Sequence, residues 1–246
     1  MTNSSATVVL VHGAWHDASC FDRLVAALRE RNVAAVAIDR PGHGASTEPL
    51  GDLEGDAAAV RASLATIEGP VVLVGHSYGG AVITEAGDAP NVAHLVYIAA
   101  FVLDVGETVN HQEGVGEHPG SELVVPGAIE FHDDGTVTLD ADAAPSALYH
   151  DCDPAVTAEA VAQLQPQAAA TLFGAVTRAP WKAKPSTYVV CNEDRAVVPS
   201  LQRWLAQRCT TVVEMPASHS PFLSMPDVLA DVLAAVADAT TATART

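Results

Sequence analysis

The chain has 246 residues, of which 30 are Asp or Glu and 12 are Lys or Arg, giving a formal net charge of −18. Binding to nucleic acids depends on clustered basic side chains, so this charge excludes a nucleic-acid partner, and it disfavours an anionic membrane surface for the same reason. Hydrophobic residues make up 49% of the chain and charged residues 17%, which provides a large apolar core and excludes an intrinsically disordered protein.

Three features indicate a cytoplasmic protein. The longest apolar stretch, residues 93–103, contains His94 and is much shorter than the ~20 residues that cross a bilayer. Residues 1–7 contain no Lys or Arg, which a secretory signal carries before its apolar segment. The four cysteines form no C-x-x-C pair, a spacing that favours reduced thiols. We therefore expect no membrane contact, no disulfide framework, no metal and no cofactor.

Short β-branched runs alternate with alanine-rich segments of helix length, which is the pattern of β-α-β units around a parallel sheet. This predicts an α/β fold with helices on both faces of a mostly parallel sheet. The predicted strands are 8–12, 33–39, 71–75, 93–100, 187–192 and 210–215. The predicted helices are 18–31, 56–68, 78–87, 200–208 and 226–239. Parallel strands all end at one edge of the sheet, where we expect the ligand site. Residues 240–246 are expected to fray.

Residues 104–184 separate the fourth predicted strand from the fifth. A loop of that length without structure is implausible in a compact domain, so we predict an inserted subdomain, called the insertion below. The α/β core then comprises residues 1–103 and 185–246. Turn signals mark the first half of the insertion, and its second half predicts helices at 155–164 and 167–177.

Residues 75–80 read Gly-His-Ser-Tyr-Gly-Gly and lie between a predicted strand and a predicted helix. A G-x-S-x-G sequence in that context is typical of a nucleophile elbow, a sharp turn that holds its serine in strained backbone geometry. Glycines flank the serine because side chains there would collide with the neighbouring strand and helix. Ser77 is therefore the predicted nucleophile. A chance match in an ordinary turn is the alternative, which the flanking elements disfavour.

A serine hydroxyl becomes a strong nucleophile when a base takes its proton, which here requires a histidine. Of the ten histidines, His219 is best placed because it follows the last predicted strand, at the same edge as Ser77. The acid that orients this histidine is expected after the preceding strand, where Glu193 and Asp194 are both candidates. We choose Asp194. Asp104, after the fourth strand, is a weaker alternative.

The first predicted strand ends in residues 12–15, His-Gly-Ala-Trp, a turn whose glycine allows the backbone to approach the reacting centre. We expect the amides of Ala14 and Tyr78 to form an oxyanion hole, which binds the negative charge that develops on a carbonyl oxygen. His12 is interpreted as a structural side chain beneath the site. His43, after the second strand, is interpreted as structural or exposed on its loop.

The substrate pocket is expected between the sheet edge and the insertion, with apolar walls for an ester or lactone of small to medium size. Ordinary core packing explains each candidate wall residue equally well. These candidates are Trp15, Phe101, Tyr149, Trp181 and Phe222.

Acidic residues are concentrated in the insertion, which holds 13 of them against 3 basic residues. No Lys or Arg occurs between Arg61 and Arg178. This distribution suggests that the approach to Ser77 repels anions and admits neutral or cationic substrates, with solubility as the alternative explanation.

Several polar residues of the insertion were considered as metal ligands. They show no recognised ligand spacing, so solvated loops explain them better. They are His111, Glu113, Glu117, His118 and His132.

These segments together resemble the α/β-hydrolase superfamily over nearly the whole chain. They look most like its group of plant methyl-salicylate-type esterases, hydroxynitrile lyases and related bacterial esterases. The matching segments are VLVHGAWHDASCF, GHSYGG, YIAAFVLDVGET, NEDRAVVP with the following LQRW, and SHSPFL. The order Ser77, Asp194, His219 is that of the superfamily. In the family the acid stands five residues before a proline, as Asp194 stands before Pro199, and a lid lies where the insertion lies. The resemblance implies an α/β-hydrolase fold with a six-stranded core.

The resemblance implies a serine hydrolase that cleaves a carboxylic ester, lactone or thioester through an acyl-serine intermediate. A lyase with the same triad and a non-catalytic ligand-binding protein on the same fold are the alternatives. The lyases of the family carry a threonine after the first-strand histidine and a lysine after the catalytic histidine. Gly13 and Ser220 occupy those positions here, which favours hydrolysis. A small-molecule substrate is expected, and the oligomeric state cannot be predicted.

Overall fold

The core of the protein is a parallel sheet of six strands in the computed structural model, which describes residues 5–111 and 128–244. The described strands are β1 (Thr7–Val11), β2 (Ala35–Ile38), β3 (Val71–His76), β4 (Val92–Ile98), β5 (Ile129–Phe131), β6 (Thr136–Leu139), β7 (Gln167–Ala168), β8 (Ser186–Cys191) and β9 (Thr211–Met215). The spatial order of the core sheet is β2-β1-β3-β4-β8-β9. The six predicted core strands agree with it to within two residues at each end, so this part of the fold prediction is confirmed.

The helices that cover the sheet are amphipathic or apolar, as the pattern predicted. The described helices are α1 (Asp22–Glu30), α2 (Leu53–Leu64), α3 (Gly79–Ala86), α4 (Ala144–Leu148), α5 (Pro154–Ala162), α6 (Ala170–Phe173), α7 (Pro199–Ala206), α8 (Pro221–Ser224) and α9 (Pro226–Ala244).

Successive side chains of a strand point to opposite faces of the sheet, and β1 shows how this builds two apolar layers. Val9 and Val11 pack in one cluster with residues of α2, α3 and α7. Val8 and Leu10 pack in the other cluster with residues of α1 and α9. Both faces of the sheet are therefore buried, which is the reason that its strands read as continuous apolar runs.

The strand order places the site. β1 lies between β2 and β3, so the chain leaves β1 towards one side of the sheet and later returns on the other. In parallel α/β sheets such a reversal opens a crevice at the carboxyl ends of the two central strands. Here those are the ends of β1 and β3, which are followed by Ala14 and Ser77.

The insertion contains a small antiparallel sheet of β5, β6 and β7 together with α4, α5 and α6. The predicted helix at 155–164 is confirmed as α5. The predicted helix at 167–177 is largely wrong, since Gln167 pairs with Val137 of β6 and only α6 is helical. The side chain of Gln167 is fully buried, and this tertiary contact outweighs the local helical pattern.

The end of the chain is ordered further than predicted. α9 continues to Ala244 instead of fraying from Thr240. Thr240 and Thr241 are buried, and the backbone amide of Ala6 donates a hydrogen bond to the Thr241 hydroxyl at 2.9 Å. This bond ties the last turns of α9 to the chain just before β1.

Within the described ranges, none of the helices has the length and apolar character that a membrane crossing needs.

Candidate active site

Ser77 occupies the turn between β3 and α3 with its backbone in the left-handed region, at φ 53°. A non-glycine residue in that region costs roughly 1–3 kcal/mol, which the surrounding contacts must offset. Three backbone hydrogen bonds do so: Ser77 N–H donates to Ile98 at 3.2 Å, and its carbonyl accepts from Gly80 at 2.9 Å and Phe101 at 3.3 Å. Its side chain is only partly buried. The hydroxyl is thus held accessible at the carboxyl end of β3.

The glycines of the elbow are required by close backbone contacts. A Cβ on Gly75 would lie 2.5 Å from the carbonyl oxygen of Gly79. A Cβ on Gly79 would lie 2.4 Å from the carbonyl oxygen of Val11, and one on Gly80 would lie 2.7 Å from that of Phe101. Real Cβ atoms do not approach backbone atoms so closely, so any larger residue would push these segments apart.

His219 and Asp194 form a buried hydrogen-bonded pair, with 2.7 Å between Nδ1 and Oδ2. Their side chains are 3% and 0% exposed. The amides of Ala196 and Val197 donate to Asp194 Oδ1 at 2.7 and 3.0 Å, and Gln202 Nε2 donates to Oδ2 at 2.8 Å. Because the carboxylate accepts from Nδ1–H, the neutral imidazole keeps Nε2 free to accept a proton.

The other two candidate acids lie elsewhere. The Glu193 side chain is exposed, and the backbone carbonyl of Glu193 accepts a hydrogen bond from His150. Asp104 pairs with Lys182 at 2.6 Å. The structure thus brings Asp194 to His219, as chosen from the sequence.

Ser77 and His219 line the same cavity. In the described part of the chain, the Ser77 hydroxyl has no hydrogen-bond partner, so the bond to His219 that proton transfer requires is not formed in this structure. Proton transfer needs the two atoms within ~3 Å, and such bonds commonly tighten only when substrate is present.

Ala14 and Tyr78 line this cavity as well. Neither backbone amide donates a hydrogen bond to any residue within 5–111 or 128–244, as the donors of an oxyanion hole require. Trp15, which follows Ala14, has a left-handed backbone at φ 64°, and its indole N–H donates to Val137 of β6 at 3.1 Å. The loop after β1 is therefore held from the insertion side.

The cavity has a volume of about 50 Å³ and an almost entirely apolar lining. Trp15 and Phe101 are among its walls, as predicted. Among the lining residues that are described, His219 is the one histidine. Most of the remaining walls are aliphatic side chains of the insertion, namely Val109, Ile129, Leu139, Leu148 and Leu172.

The other three predicted wall residues do not line this cavity. The Tyr149 hydroxyl is bonded to His16 at 2.7 Å, and Phe222 packs against Phe21 in the apolar layer on the α9 side. Trp181 donates from its indole to the carbonyl of Leu103 at 2.8 Å. Each ring is used in core packing, so aromatic character alone was a poor guide to the pocket.

His12 and His43 are both structural, and His43 is buried rather than exposed on its loop. Their rings lie 5.3 Å apart, and His43 donates to the carbonyl of Pro41. Burial, together with the charge of Arg40, lowers the pKa of His12 well below its usual value and that of His43 to about 4. Both imidazoles are therefore neutral near pH 7.

Two adjacent residues of the insertion, which could not be recognised from the sequence, hold the loops that carry His219 and Asp194. Asp151 accepts hydrogen bonds from the amide and the hydroxyl of Ser218, the residue before His219. His150 bonds to the carbonyl of Glu193, the residue before Asp194. Burial disfavours the Asp151 carboxylate, but the hydrogen bonds from Ser218 outweigh it and lower its pKa. We call His150 and Asp151 the loop clamp.

A second missed contact involves His76, in the elbow itself. Its Nε2–H donates to the backbone carbonyl of His219 at 2.9 Å, and its Nδ1 has no partner among the described residues. Burial lowers the pKa of His76 well below its usual value, and the neighbouring His219 adds to the effect. A neutral His76 thus braces the backbone of the predicted base.

No three His, Cys, Asp or Glu side chains within residues 5–111 and 128–244 come close enough to bind one metal ion. Of the residues considered as ligands from the sequence, Glu113, Glu117 and His118 lie outside the described residues. His132 bonds to the Thr138 hydroxyl within its own hairpin.

Comparison with known proteins agrees with the geometry of the site. A family model described as the Alpha/beta hydrolase family matches residues 8–232. An alpha/beta hydrolase of Aspergillus novofumigatus, nvfD, is 31% identical over 240 residues, covering 90% of this chain and 92% of the relative. A pyrethroid hydrolase of Sphingobium wenxiniae is 29% identical over 250 residues, covering 94% of this chain and 88% of the relative.

A plant protein and a solved structure are also similar. Methylesterase 9 of Arabidopsis thaliana is 25% identical over 252 residues, covering 94% of this chain and 97% of the relative. The crystal structure of the pyrethroid hydrolase PytH superposes with a TM-score of 0.82 at 25% identity, covering 96% of this chain and 98% of that one. The α/β-hydrolase fold predicted from the sequence is confirmed.

From the hydrogen bonds of the loop clamp we predict that Asp151 positions His219. Asp151→Asn keeps the shape of the side chain but places an amide where Ser218 now donates. We expect kcat for ester hydrolysis to fall roughly tenfold, because a small displacement of a catalytic group costs that much or more. Steady-state kinetics with p-nitrophenyl acetate measure this. Asp153→Asn, which changes the exposed N-cap of α5, is the matched control. A folded Asp151→Asn protein with the kcat of the control contradicts the role.

From the burial of His16 we predict that the free energy of unfolding depends on pH. The Nδ1–H of His16 donates to Ala14 and its Nε2 accepts from the Tyr149 hydroxyl, and burial lowers its pKa from 6.5 to about 4. Between these pH values the unfolded chain binds a proton that the folded protein excludes. We therefore expect the free energy of unfolding to decrease as the pH falls from 6.5 to 4, with a contribution of about 3 kcal/mol from this residue.

Urea unfolding of the wild type and of His16→Gln at pH 7 and pH 5 tests this, with the exposed His132→Gln as control. The expected result is a smaller loss of stability on acidification in His16→Gln than in the other two proteins. Equal losses in all three would rule out the contribution of His16.

Proposed function

The chain belongs to the alpha/beta hydrolase family, and from this premise we propose that it hydrolyses carboxylic esters through an acyl-serine intermediate on Ser77. The observation that carries the proposal is that one cavity is lined by Ser77, His219, Ala14 and Tyr78. Several of its relatives are named hydrolases or esterases, which supports a carboxylesterase-type enzyme.

In the first half of the proposed reaction, the Ser77 hydroxyl attacks the carbonyl carbon while His219 Nε2 takes its proton. The negative charge that forms on the carbonyl oxygen is bound by the amides of Ala14 and Tyr78. Asp194 stabilises the imidazolium and keeps the ring in place. The intermediate then breaks the bond to the alcohol, which leaves with the proton from His219.

In the second half, a water molecule replaces the alcohol. His219 takes a proton from the water, which attacks the acyl carbon of the serine ester. The same two amides bind the oxyanion again, and the carboxylic acid leaves as the proton returns to Ser77. Apart from the ester and the water molecule, each step uses side chains and backbone amides of this protein.

The apolar lining supports a neutral, mainly apolar substrate of small to medium size. A charged group entering the cavity would lose its hydration without gaining a partner, because the described walls present no counter-charge. The acidic insertion adds long-range repulsion of anions.

We propose that the insertion acts as a lid. Five of its aliphatic side chains enclose a cavity of about 50 Å³, whereas pockets for drug-sized ligands occupy ~300–1,000 Å³. An ester larger than a few atoms therefore requires the insertion to move away from the core before it binds.

A cytoplasmic location is also proposed. All four cysteines are free thiols, and Cys20 and Cys191 are buried. Such usage fits a reducing compartment.

Ser77→Ala tests the proposed nucleophile. We expect turnover of p-nitrophenyl acetate to fall at least 10³-fold, because only the oxyanion hole and substrate binding would remain to accelerate the reaction. Covalent labelling of the wild type by a fluorophosphonate, and its loss in the variant, gives an independent readout. Undiminished turnover in Ser77→Ala would remove the acyl-serine mechanism, and circular dichroism confirms that the variant is folded.

Substrate charge provides a second test. p-Nitrophenyl butyrate and p-nitrophenyl hemisuccinate have acyl groups of similar length, but the second carries a carboxylate. We expect kcat/KM to be roughly tenfold lower for the anionic ester at low salt, and the gap to narrow as salt screens the acidic insertion. Equal kcat/KM for the two esters at low salt is the contrary result.

A further inference from the structure

Arg40 and Asp56 form an ion pair that is completely enclosed. Arg40 follows β2, Asp56 lies in α2, and their side chains are 0% and 1% exposed, with 2.6 Å between Nη1 and Oδ2. Burying two charges costs free energy that the ion pair itself often fails to recover, so such pairs are poor explanations of stability. The contacts around the Arg40–Asp56 pair indicate a role other than stability.

The first contact of the pair is with the peptide group that supplies one oxyanion-hole amide. Arg40 Nη2 donates to the carbonyl of Gly13 at 3.0 Å. That carbonyl and the N–H of Ala14 belong to one planar trans peptide, so they point in opposite directions. An arginine that holds the carbonyl therefore directs the Ala14 N–H away from itself.

A second donor fixes the same carbonyl. His12 Nδ1 lies 3.0 Å from the Gly13 oxygen, and the backbone N–H of Arg40 lies 3.3 Å from His12 Nε2. Because Nε2 accepts from Arg40, the proton of the neutral ring is on Nδ1 and is donated to Gly13. Hydrogen bonds to a carbonyl polarise its peptide and make the N–H at the other end a stronger donor, most of all when the donor is charged.

The pair also holds the residue that supplies the second amide. The Tyr78 hydroxyl donates to Asp56 Oδ2 at 2.8 Å, and the Arg40 guanidinium lies 4.8 Å from the centre of the Tyr78 ring. Tyr78 is 1% exposed. One carboxylate thus accepts from both Arg40 and Tyr78, and the two predicted oxyanion donors are tied to the same ion pair.

Arg40 also contacts the insertion. Arg40 Nη2 donates to Gln167 Oε1 at 3.0 Å, and Gln167 Nε2 donates to the Thr171 hydroxyl at 2.8 Å. Arg40 Nε has no partner in the described ranges, although it is buried. The guanidinium is therefore placed to reach Gly13, Asp56 and Gln167 at the expense of one unsatisfied donor.

We propose that Arg40 and Asp56 are positioning residues of the oxyanion hole: Asp56 aligns Arg40 and Tyr78, and Arg40 orients and polarises the Gly13–Ala14 peptide. The inference rests on the proposed ester hydrolysis. Neither side chain touches the substrate. Their contribution is expected in the tetrahedral intermediate, where negative charge is present, and not in the ground-state complex.

The experiment compares Arg40→Met, which removes the charge and the donors, with the wild type and with Arg208→Met. Arg208 pairs with Glu107 in another largely buried ion pair and is the matched control for loss of a buried charge. The substrate is p-nitrophenyl acetate. An aryl trifluoromethyl ketone, which forms a tetrahedral oxyanion with a catalytic serine, measures intermediate binding directly.

In Arg40→Met we expect kcat to fall roughly 10- to 100-fold with KM within twofold of the wild type, less than the ~10²–10³ seen when a whole oxyanion donor is removed. Affinity for the trifluoromethyl ketone should fall by a similar factor. The pH at which kcat/KM is half-maximal should not move, because the His219–Asp194 pair is unchanged. Arg208→Met should keep kcat within twofold.

Tyr78→Phe keeps the ring and removes only the bond to Asp56. It therefore tests the inference if Arg40→Met does not fold. We expect its kcat and ketone affinity to fall roughly three- to tenfold. A folded Arg40→Met with unchanged kcat and ketone affinity overturns the inference, as does an unchanged Tyr78→Phe where Arg40→Met is unfolded. A wild type that neither hydrolyses the ester nor is labelled at Ser77 would instead remove the proposed function.

Discussion

The turn at Ser77 requires three backbone segments to lie closer together than any side chain would permit. The elbow touches the end of β1 through Gly79 and the loop after β4 through Gly80. The first of these segments leads to Ala14, and the second contains Phe101. The predicted nucleophile, a predicted oxyanion-hole amide and a wall of the cavity are therefore one packing unit, and a shift in any of them is transmitted to the other two.

Hydrogen bonds between polar groups then hold the loops around the segments that backbone packing brings together. The loops after β8 and β9 carry Asp194 and His219, and neither loop has a regular structure of its own to hold it. Gln202 of α7 bonds to Asp194, His76 bonds to the backbone of His219, and the loop clamp bonds to the residue before each of them. The positions of Asp194 and His219 thus depend on hydrogen bonds from three separate parts of the chain.

The core strands and the elbow could be predicted from the sequence because their signals are local. A buried parallel strand is a continuous apolar run, and the elbow needs its glycines and serine at fixed spacing. The supporting contacts could not be predicted in this way. Arg40 meets Gln167 from 127 positions away, and a charged residue after a strand normally indicates a solvent-exposed loop. The pocket walls were predicted only in part: Trp15 and Phe101 line the cavity, but so do five aliphatic side chains of the insertion that the sequence did not single out.

The loop clamp also affects how the substrate specificity of such an enzyme can be altered. An insertion that forms the cavity wall looks like a module that evolution or an engineer could exchange to alter specificity while leaving the catalytic residues alone. In this protein His150 and Asp151 belong to that module, yet they bond to the loops of Asp194 and His219. A graft that replaced the whole insertion would remove these bonds together with the old walls. Substitutions confined to wall positions such as Ile129, Leu139 and Leu172 separate the two roles and offer a safer route to a new specificity.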